Sequence, residues 1–281
     1  MLRLRRGAIT LDLAPERGGG VLAFHHGHEP VFADVRGEAA DELACIPLVP
    51  FANRIAQGAF RADGRQVQLP ILPGEVHALH GQGWLMPWRV ETAGIDHAML
   101  RYDHAANAWP WAYRAVQVFT LAGDGYCHEI AVTNCADTAM PAGIGVHPWF
   151  SCNATTQYRG LHGGEWQNGA DGLPATLQTM PASVDWWHGK PVMTRTVDTC
   201  FTGRDGALGI VWPERGLSLA IFPSERLGFT HVYVPPDVGY FCVEPVSHMP
   251  DAINRAGETG LVWLAPGATL SAQVDFRVSR A

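Results

Sequence analysis

Period-two alternation of apolar and polar residues, cut at short intervals by glycine and proline, constrains this chain more than any other feature. Near the start, Ile9, Leu11 and Leu13 alternate with Thr10 and Asp12. Near the end, Val274, Phe276 and Val278 alternate with Gln273, Asp275 and Arg277. Successive side chains of a strand point to opposite faces, so this spacing buries one face and wets the other. Asp63-Gly64 separates Ala59-Phe60-Arg61 from Gln66-Val67-Gln68-Leu69, and Asp124-Gly125 separates Val116-Gln117-Val118-Phe119 from Cys127-His128-Glu129-Ile130-Ala131-Val132. An Asp-Gly between alternating runs is a strong hairpin signal. No convincing amphipathic helix occurs; the nearest segment, Glu38 to Leu43, would make a turn or two. With 31 glycines and 20 prolines punctuating short strands, the expected fold is all-β, a large antiparallel β-sandwich. The stretch from Cys152 to Trp187 is rich in Gly, Thr and Gln with weak periodicity, and is expected to form long loops on the rim.

A length of 281 residues allows two domains, but no linker or internal repeat divides the chain, so one domain over 1–281 is expected. Hydrophobic residues at 47% against 17% charged allow a large core and exclude a disordered chain. The net charge of −7 and pI near 6.0 argue against nucleic acid or an anionic membrane as partner. No apolar run approaches the roughly 18 residues of a membrane span. Polar Thr10, Asp12 and Glu16 follow the basic N-terminus where a signal peptide needs an apolar stretch. Six cysteines without a C-x-x-C pair read as reduced, mostly buried thiols of a cytoplasmic protein. Without a P-loop, dinucleotide fingerprint or G-x-S-x-G elbow, no cofactor is expected.

Four segments hold groups suited to chemistry. Gly143-Ile144-Gly145-Val146-His147-Pro148-Trp149-Phe150 sets one histidine on an expected bend, between glycines that would let backbone approach a ligand and an aromatic pair. Such a histidine can serve as a general acid near neutral pH, or be tied into a core. Asn53 and Arg54 stand in a proline-bounded apolar stretch; a guanidinium fork beside an amide suits a polyhydroxylated ligand, or a surface loop. In His77-Ala78-Leu79-His80-Gly81 the three-residue spacing puts the two histidines on opposite faces, which with no nearby carboxylate or cysteine argues against a metal site. Glu244 lies in the apolar run Tyr240 to Val246, where a carboxylate is costly unless paired or functional. It is a candidate general base, or one half of a salt bridge to a cation such as Arg54.

Taken in order, Asn53-Arg54-Ile55 with Gly58 and Phe60, Leu79-His80-Gly81, His147-Pro148-Trp149-Phe150, Val243-Glu244-Pro245 with Pro250-Asp251-Ala252, and Leu264-Ala265-Pro266-Gly267 resemble the aldose 1-epimerase (galactose mutarotase) family across most of the chain. The resemblance implies a β-supersandwich with a sugar site on its concave face. It implies Glu244 as the base at the anomeric hydroxyl, His147 as the acid at the ring oxygen, and His80 assisting there. Asn53, Arg54 and Asp198 would bind sugar hydroxyls. Acid and base are expected on opposite sides of the ring, with Trp149 or Trp84 stacking on it. His77, Trp149 and His231 depart from the family's usual residues and leave the sugar open. The implied partner is a monosaccharide, with neither metal nor cofactor, in a monomer or homodimer. A hexose-6-phosphate mutarotase would need a basic pocket, and a non-catalytic carbohydrate-binding protein would share the fold. A glycoside hydrolase would need two carboxylates about 5–9.5 Å apart, where the matched motifs offer one.

Overall fold

Among the described residues, seventeen strands join in one hydrogen-bonded sheet that turns back over itself. The structure, a computed structural model, describes residues 1–35, 37, 39 and 42–280. Every pairing among the strands discussed below is antiparallel. One layer runs through His97–His104, Tyr113–Leu121, Gly125–Asn134, Thr269–Arg280 and Leu217–Pro223. The other runs through Phe229–Val234, Tyr240–Val246, Gly145–Ser151, Cys45–Leu48 and Gly20–His26. The 16-residue strand Val197–Trp212 belongs to both: its start pairs with Phe229–Val234 and its end with Leu217–Pro223. The result is a large antiparallel β-sandwich, as the sequence leads one to expect.

Alternation explains how the layers meet. Along Tyr240–Val246, Phe241 and Val243 enter the main core, while Cys242 and Glu244 turn to the other face. Along Gly145–Ser151, Val146 and Phe150 do the same, and His147 and Trp149 oppose them. Phe32 bridges the layers, its ring 5.4 Å from Phe150 and 5.3 Å from Phe276, both edge-on. Each such side chain, fully buried, contributes roughly 1.5–3 kcal/mol of transfer free energy.

The Asp63-Gly64 hairpin forms as expected, with Ala59–Ala62 paired to Arg65–Gln68 and positive φ at both turn residues. The second hairpin also forms, but its turn falls before Gly125. Gly125 lies in the strand, where a Cβ would sit 1.8 Å from the Phe276 carbonyl oxygen. Helices among the described residues are three-residue 3-10 turns. The segment Glu38 to Leu43 lies partly outside the described residues. Among the described residues no helix is long and apolar enough to cross a membrane.

The region 152–187 is not loops: it holds the paired strands Gln157–Asn168 and Pro174–Asp185. Its periodicity is hidden for two reasons. Gln157–Asn168 buries alternate positions, but these are Tyr158, Gly160, His162 and Gly164, which carry little hydrophobic signal. Pro174–Asp185 is exposed along most of its length, so nothing selects an apolar face. Of the cysteines, Cys45, Cys200 and Cys242 are buried, Cys127 and Cys152 are half-buried and Cys135 is exposed.

Candidate active site

Two rows of side chains cross the face of the second layer that turns away from the main core. Gly145 is opposite Val246 and Trp149 opposite Cys242, so the register sets His147 beside Glu244. Glu244 is in turn opposite His231, and His231 opposite Cys200. Two residues along, Trp149, Cys242, Tyr233 and Asp198 form the second row. Directly opposed residues of an antiparallel pair share a face. Ordinary strand pairing thus gathers His147, Glu244, His231, Trp149 and Asp198.

His147 lies within a strand, not on a bend. Gly143 and Gly145 admit protein rather than ligand: a Cβ on Gly143 would meet the His248 ring at 2.0 Å, and one on Gly145 would meet Val246 at 2.7 Å. Asn53, Arg54 and His80 arrive from above on a small two-stranded ribbon that pairs Arg54 with Leu79. Asn53 and His80 have positive φ, 55° and 58°, a conformation costing on the order of 1–3 kcal/mol. Reciprocal bonds hold it: the His80 N–H donates to the Asn53 carbonyl at 2.9 Å, and the Asn53 N–H donates to His80 Nδ1 at 3.0 Å. The ribbon is anchored by His248, whose Nε2 accepts from the Ala52 N–H, and by Asp251, which accepts from the Ala56 N–H, each at 3.0 Å.

These elements enclose a cavity of about 210 Å³ lined by Asn53, Arg54, His80, His147, Asp198, His231 and Glu244. His147 Nε2 lies 3.3 Å from Glu244 Oε1. The two meet side by side, not from opposite sides. That placement suits chemistry at two oxygens attached to one carbon better than groups set across a ring. Asp198 accepts from Arg54 Nη2 at 2.9 Å and from His231 Nε2 at 2.7 Å. The salt bridge considered for Glu244 with Arg54 is made by Asp198 instead.

Burial sets the protonation states. Glu244 is 1% exposed. Desolvation holds its carboxyl well above the ordinary range, the Asp198 charge adds to this, and Arg54 opposes it. His80 is pushed down to about 3 by burial, with His231 and Arg54 adding to the effect. It is therefore neutral, and since Nδ1 accepts a backbone N–H, its ring proton resides on Nε2 as a donor. Burial pushes Asp198 up, but the His231 hydrogen bond and the charges of His231 and Arg54 prevail and keep it ionised. Glu244 Oε2 and His231 Nδ1 are buried without a hydrogen-bond partner among the described residues. Both atoms keep hydrogen-bonding capacity toward a bound molecule.

His80, His147 and Glu244 also offer ligand atoms within 4.8 Å of one another, the one such group among the described residues, and they could hold a divalent cation. His77 stays outside the cavity: its Nδ1 accepts from the Gln57 N–H and its Nε2 donates to the Asp171 carbonyl, which pins two loops together. Trp149 does not line the cavity; its ring stacks on His147 at 3.9 Å between centroids. Glu75 and Tyr233 do line it, and sequence inspection missed both. Tyr233 was within reach, because it follows His231 by two in one strand and must share its face.

Comparison with known proteins bears on this geometry. The family model for aldose 1-epimerase matches residues 2–277. The Escherichia coli K12 protein YphB, itself uncharacterized, is 31% identical over 285 residues, covering 98% of this chain and 97% of YphB. A solved structure of a candidate aldose 1-epimerase from Escherichia coli K12 superposes with a TM-score of 0.91 at 29% identity, covering 99% of this chain and 98% of that one. A galactose mutarotase-like protein from Clostridium acetobutylicum shares the fold at a TM-score of 0.88 and 16% identity, covering 99% and 95%.

Proposed function

The chain belongs to the aldose 1-epimerase family, and from that premise we propose that it interconverts the α and β anomers of a free, unphosphorylated aldose by general acid–base catalysis. The observation that carries this is the buried Glu244–His147 pair, 3.3 Å apart, with Glu244 Oε2 left without a hydrogen-bond partner among the described residues. Glu244 takes the proton from the anomeric hydroxyl while His147 delivers one to the ring oxygen. The C1–O5 bond breaks, its electron pair stays on O5, and C1 becomes an aldehyde. Rotation about C1–C2 and return of both protons close the ring in the other configuration. No electron or group is transferred, and the proton count of the pair is unchanged.

Burial assists the first step, because a carboxylate with a raised pKa is a stronger base toward a hydroxyl. Neutral His80 can only donate from Nε2, which suits it to the ring oxygen as negative charge grows there. Asp198, held by Arg54 and His231, stays a fixed acceptor for sugar hydroxyls, and Asn53 and Arg54 supply donors beside it. Among the described residues Arg54 is the guanidinium that lines the cavity, already paired with Asp198, and Glu75 adds a further acid. That balance supports a neutral sugar over a sugar phosphate.

The test is anomer equilibration, followed by polarimetry or NMR exchange, over a panel of free and 6-phosphorylated aldoses. Acceleration of a free aldose is expected. Acceleration confined to phosphorylated sugars would overturn the substrate assignment, and saturable sugar binding without acceleration would replace the enzyme with a binding protein.

A further inference from the structure

The ribbon that carries Asn53, Arg54 and His80 to the cavity is held mainly by side chains. Five of the six backbone N–H groups from Ala52 to Gln57 donate to side-chain acceptors and not to a strand ladder. Three of those acceptors belong to the ribbon's own segment: His77, His80 and Asn53. The other two, His248 and Asp251, come from the chain beyond the Glu244 strand. Asp251 holds the far end of the ribbon, bonding both the Ala56 N–H and the Arg54 carbonyl. His248 holds the near end, through the buried Ala52 N–H at 3.0 Å.

His248 is itself fixed to the strands of the acid and the base. Its neighbour Ser247 clamps Ile144, three residues before His147, with two reciprocal bonds of 2.9 and 3.0 Å. The His248 ring is 2% exposed. Its Nδ1–H donates to the Met249 carbonyl at 2.8 Å, which leaves Nε2 as the acceptor that the Ala52 N–H requires. Burial pushes its pKa down to about 4 against the Met249 bond, so the ring is neutral. A Cβ on Gly143 would lie 2.0 Å from its Cδ2 and 2.2 Å from Nε2. Gly143, in the segment that leads to His147, thus leaves room for the accepting atom. The next N–H along the ribbon, that of Asn53, donates to His80 Nδ1 at 3.0 Å.

Resting on the epimerase proposal above, we infer that His248 is a positioning residue for the reaction. Through the Ala52 N–H it sets the ribbon against the strands of Glu244 and His147, and through the adjoining Asn53 N–H it aims the His80 ring at the sugar's ring oxygen. Because Asp251 keeps the far end in place, loss of His248 shifts the near end without freeing the ribbon.

The experiment measures kcat and KM for anomer equilibration of the free aldose turned over best by wild type, with His248→Leu, His248→Gln and Gly143→Ala alongside. His248→Leu removes the acceptor and should lower kcat by roughly tenfold to a hundredfold, the order expected when a catalytic group is misplaced by about 1 Å. KM should change less, because Arg54 keeps its bond to Asp198. Gly143→Ala displaces the ring and should repeat the loss, while His248→Gln, whose amide oxygen can accept, should restore most of it. In a His80→Ala background, His248→Leu should cost no more than about a further twofold, since residues that act through one another are not additive. In the wild type, nitrogen NMR should show scalar coupling across the N–H···N bonds from Ala52 to His248 and from Asn53 to His80. The positioning role is overturned if folded His248→Leu keeps kcat within about twofold of wild type, if the losses multiply in the His80→Ala background, or if His248→Gln falls as far as His248→Leu. Absence of the Ala52–His248 coupling overturns it without recourse to any variant. In each of those cases wild-type turnover leaves the epimerase function standing. A wild type that accelerates no sugar would instead overturn that function, and the positioning role with it.

Discussion

Replacing Glu244 with glutamine separates the chemistry of this site from its architecture. The side chain is 2% exposed and its Oε1 lies 3.3 Å from His147 Nε2. An amide fills the same volume but cannot take a proton. General-base catalysis contributes about 10²–10⁴ in rate, equivalent to roughly 2.7–5.5 kcal/mol of barrier, so kcat for anomer equilibration should fall by that factor. Stability should move the other way. The folded-state pKa of Glu244 is raised by burial, so its favourable contribution is fully present below the ordinary value of about 4.3 and is lost as pH rises through the raised value. At neutral pH the carboxyl therefore costs stability, and Glu244→Gln removes that cost. Substitutions that relieve a functional site commonly gain about 0.5–2 kcal/mol, at roughly 2–4 °C of Tm per kcal/mol for a domain of about 150–250 residues. Polarimetry gives the rate, and thermal unfolding at pH 5 and pH 8 gives the stability, with the larger gain at pH 8. A variant retaining more than about a tenth of wild-type kcat, short of the smallest general-base effect, would place the base elsewhere. A lower Tm at pH 8 would show that the carboxylate is a structural partner.

The same raised pKa predicts that kcat/KM falls on the acid side well above pH 4, since Glu244 must be ionised to accept a proton; a limb near pH 4 would contradict the desolvation argument. His80, already neutral with its value near 3, should add no limb above that pH. Asp198→Ala releases both Arg54 and His231. It should raise KM about tenfold or more, the order expected for loss of a charged hydrogen bond, with a smaller effect on kcat, and a loss confined to kcat would assign Asp198 to the chemistry. Treatment with EDTA should leave the rate unchanged, whereas zinc should inhibit by occupying His80, His147 and Glu244; activity lost to EDTA and restored by a divalent metal would refute proton transfer by those side chains alone.

Much of the fold was legible because a strand's burial has period two and its signal is local. Ile9, Leu11 and Leu13 are fully buried, as are Val274 and Phe276, with Val278 nearly so. The signal failed where burial was carried by glycine and histidine, as in Gln157–Asn168, or was missing, as in Pro174–Asp185. It also failed for the glycines around His147, since sequence marks only that a side chain is excluded. The groups that exclude it here are the His248 ring and the strand through Val246.

The sequence by itself determined that the chain is all-β, that Glu244 sits in an apolar strand, and that its candidate polar residues fall in a recognisable order. These conclusions come from spacing and residue chemistry along one segment at a time. Only the tertiary structure decided that Glu244 and His147 touch, and that Arg54 pairs with Asp198 and not with Glu244. Each of those depends on register between strands distant in the chain, where a slip of one residue would turn every side chain to the opposite face. Local sequence does not encode that register; the packing of both layers against one core selects it.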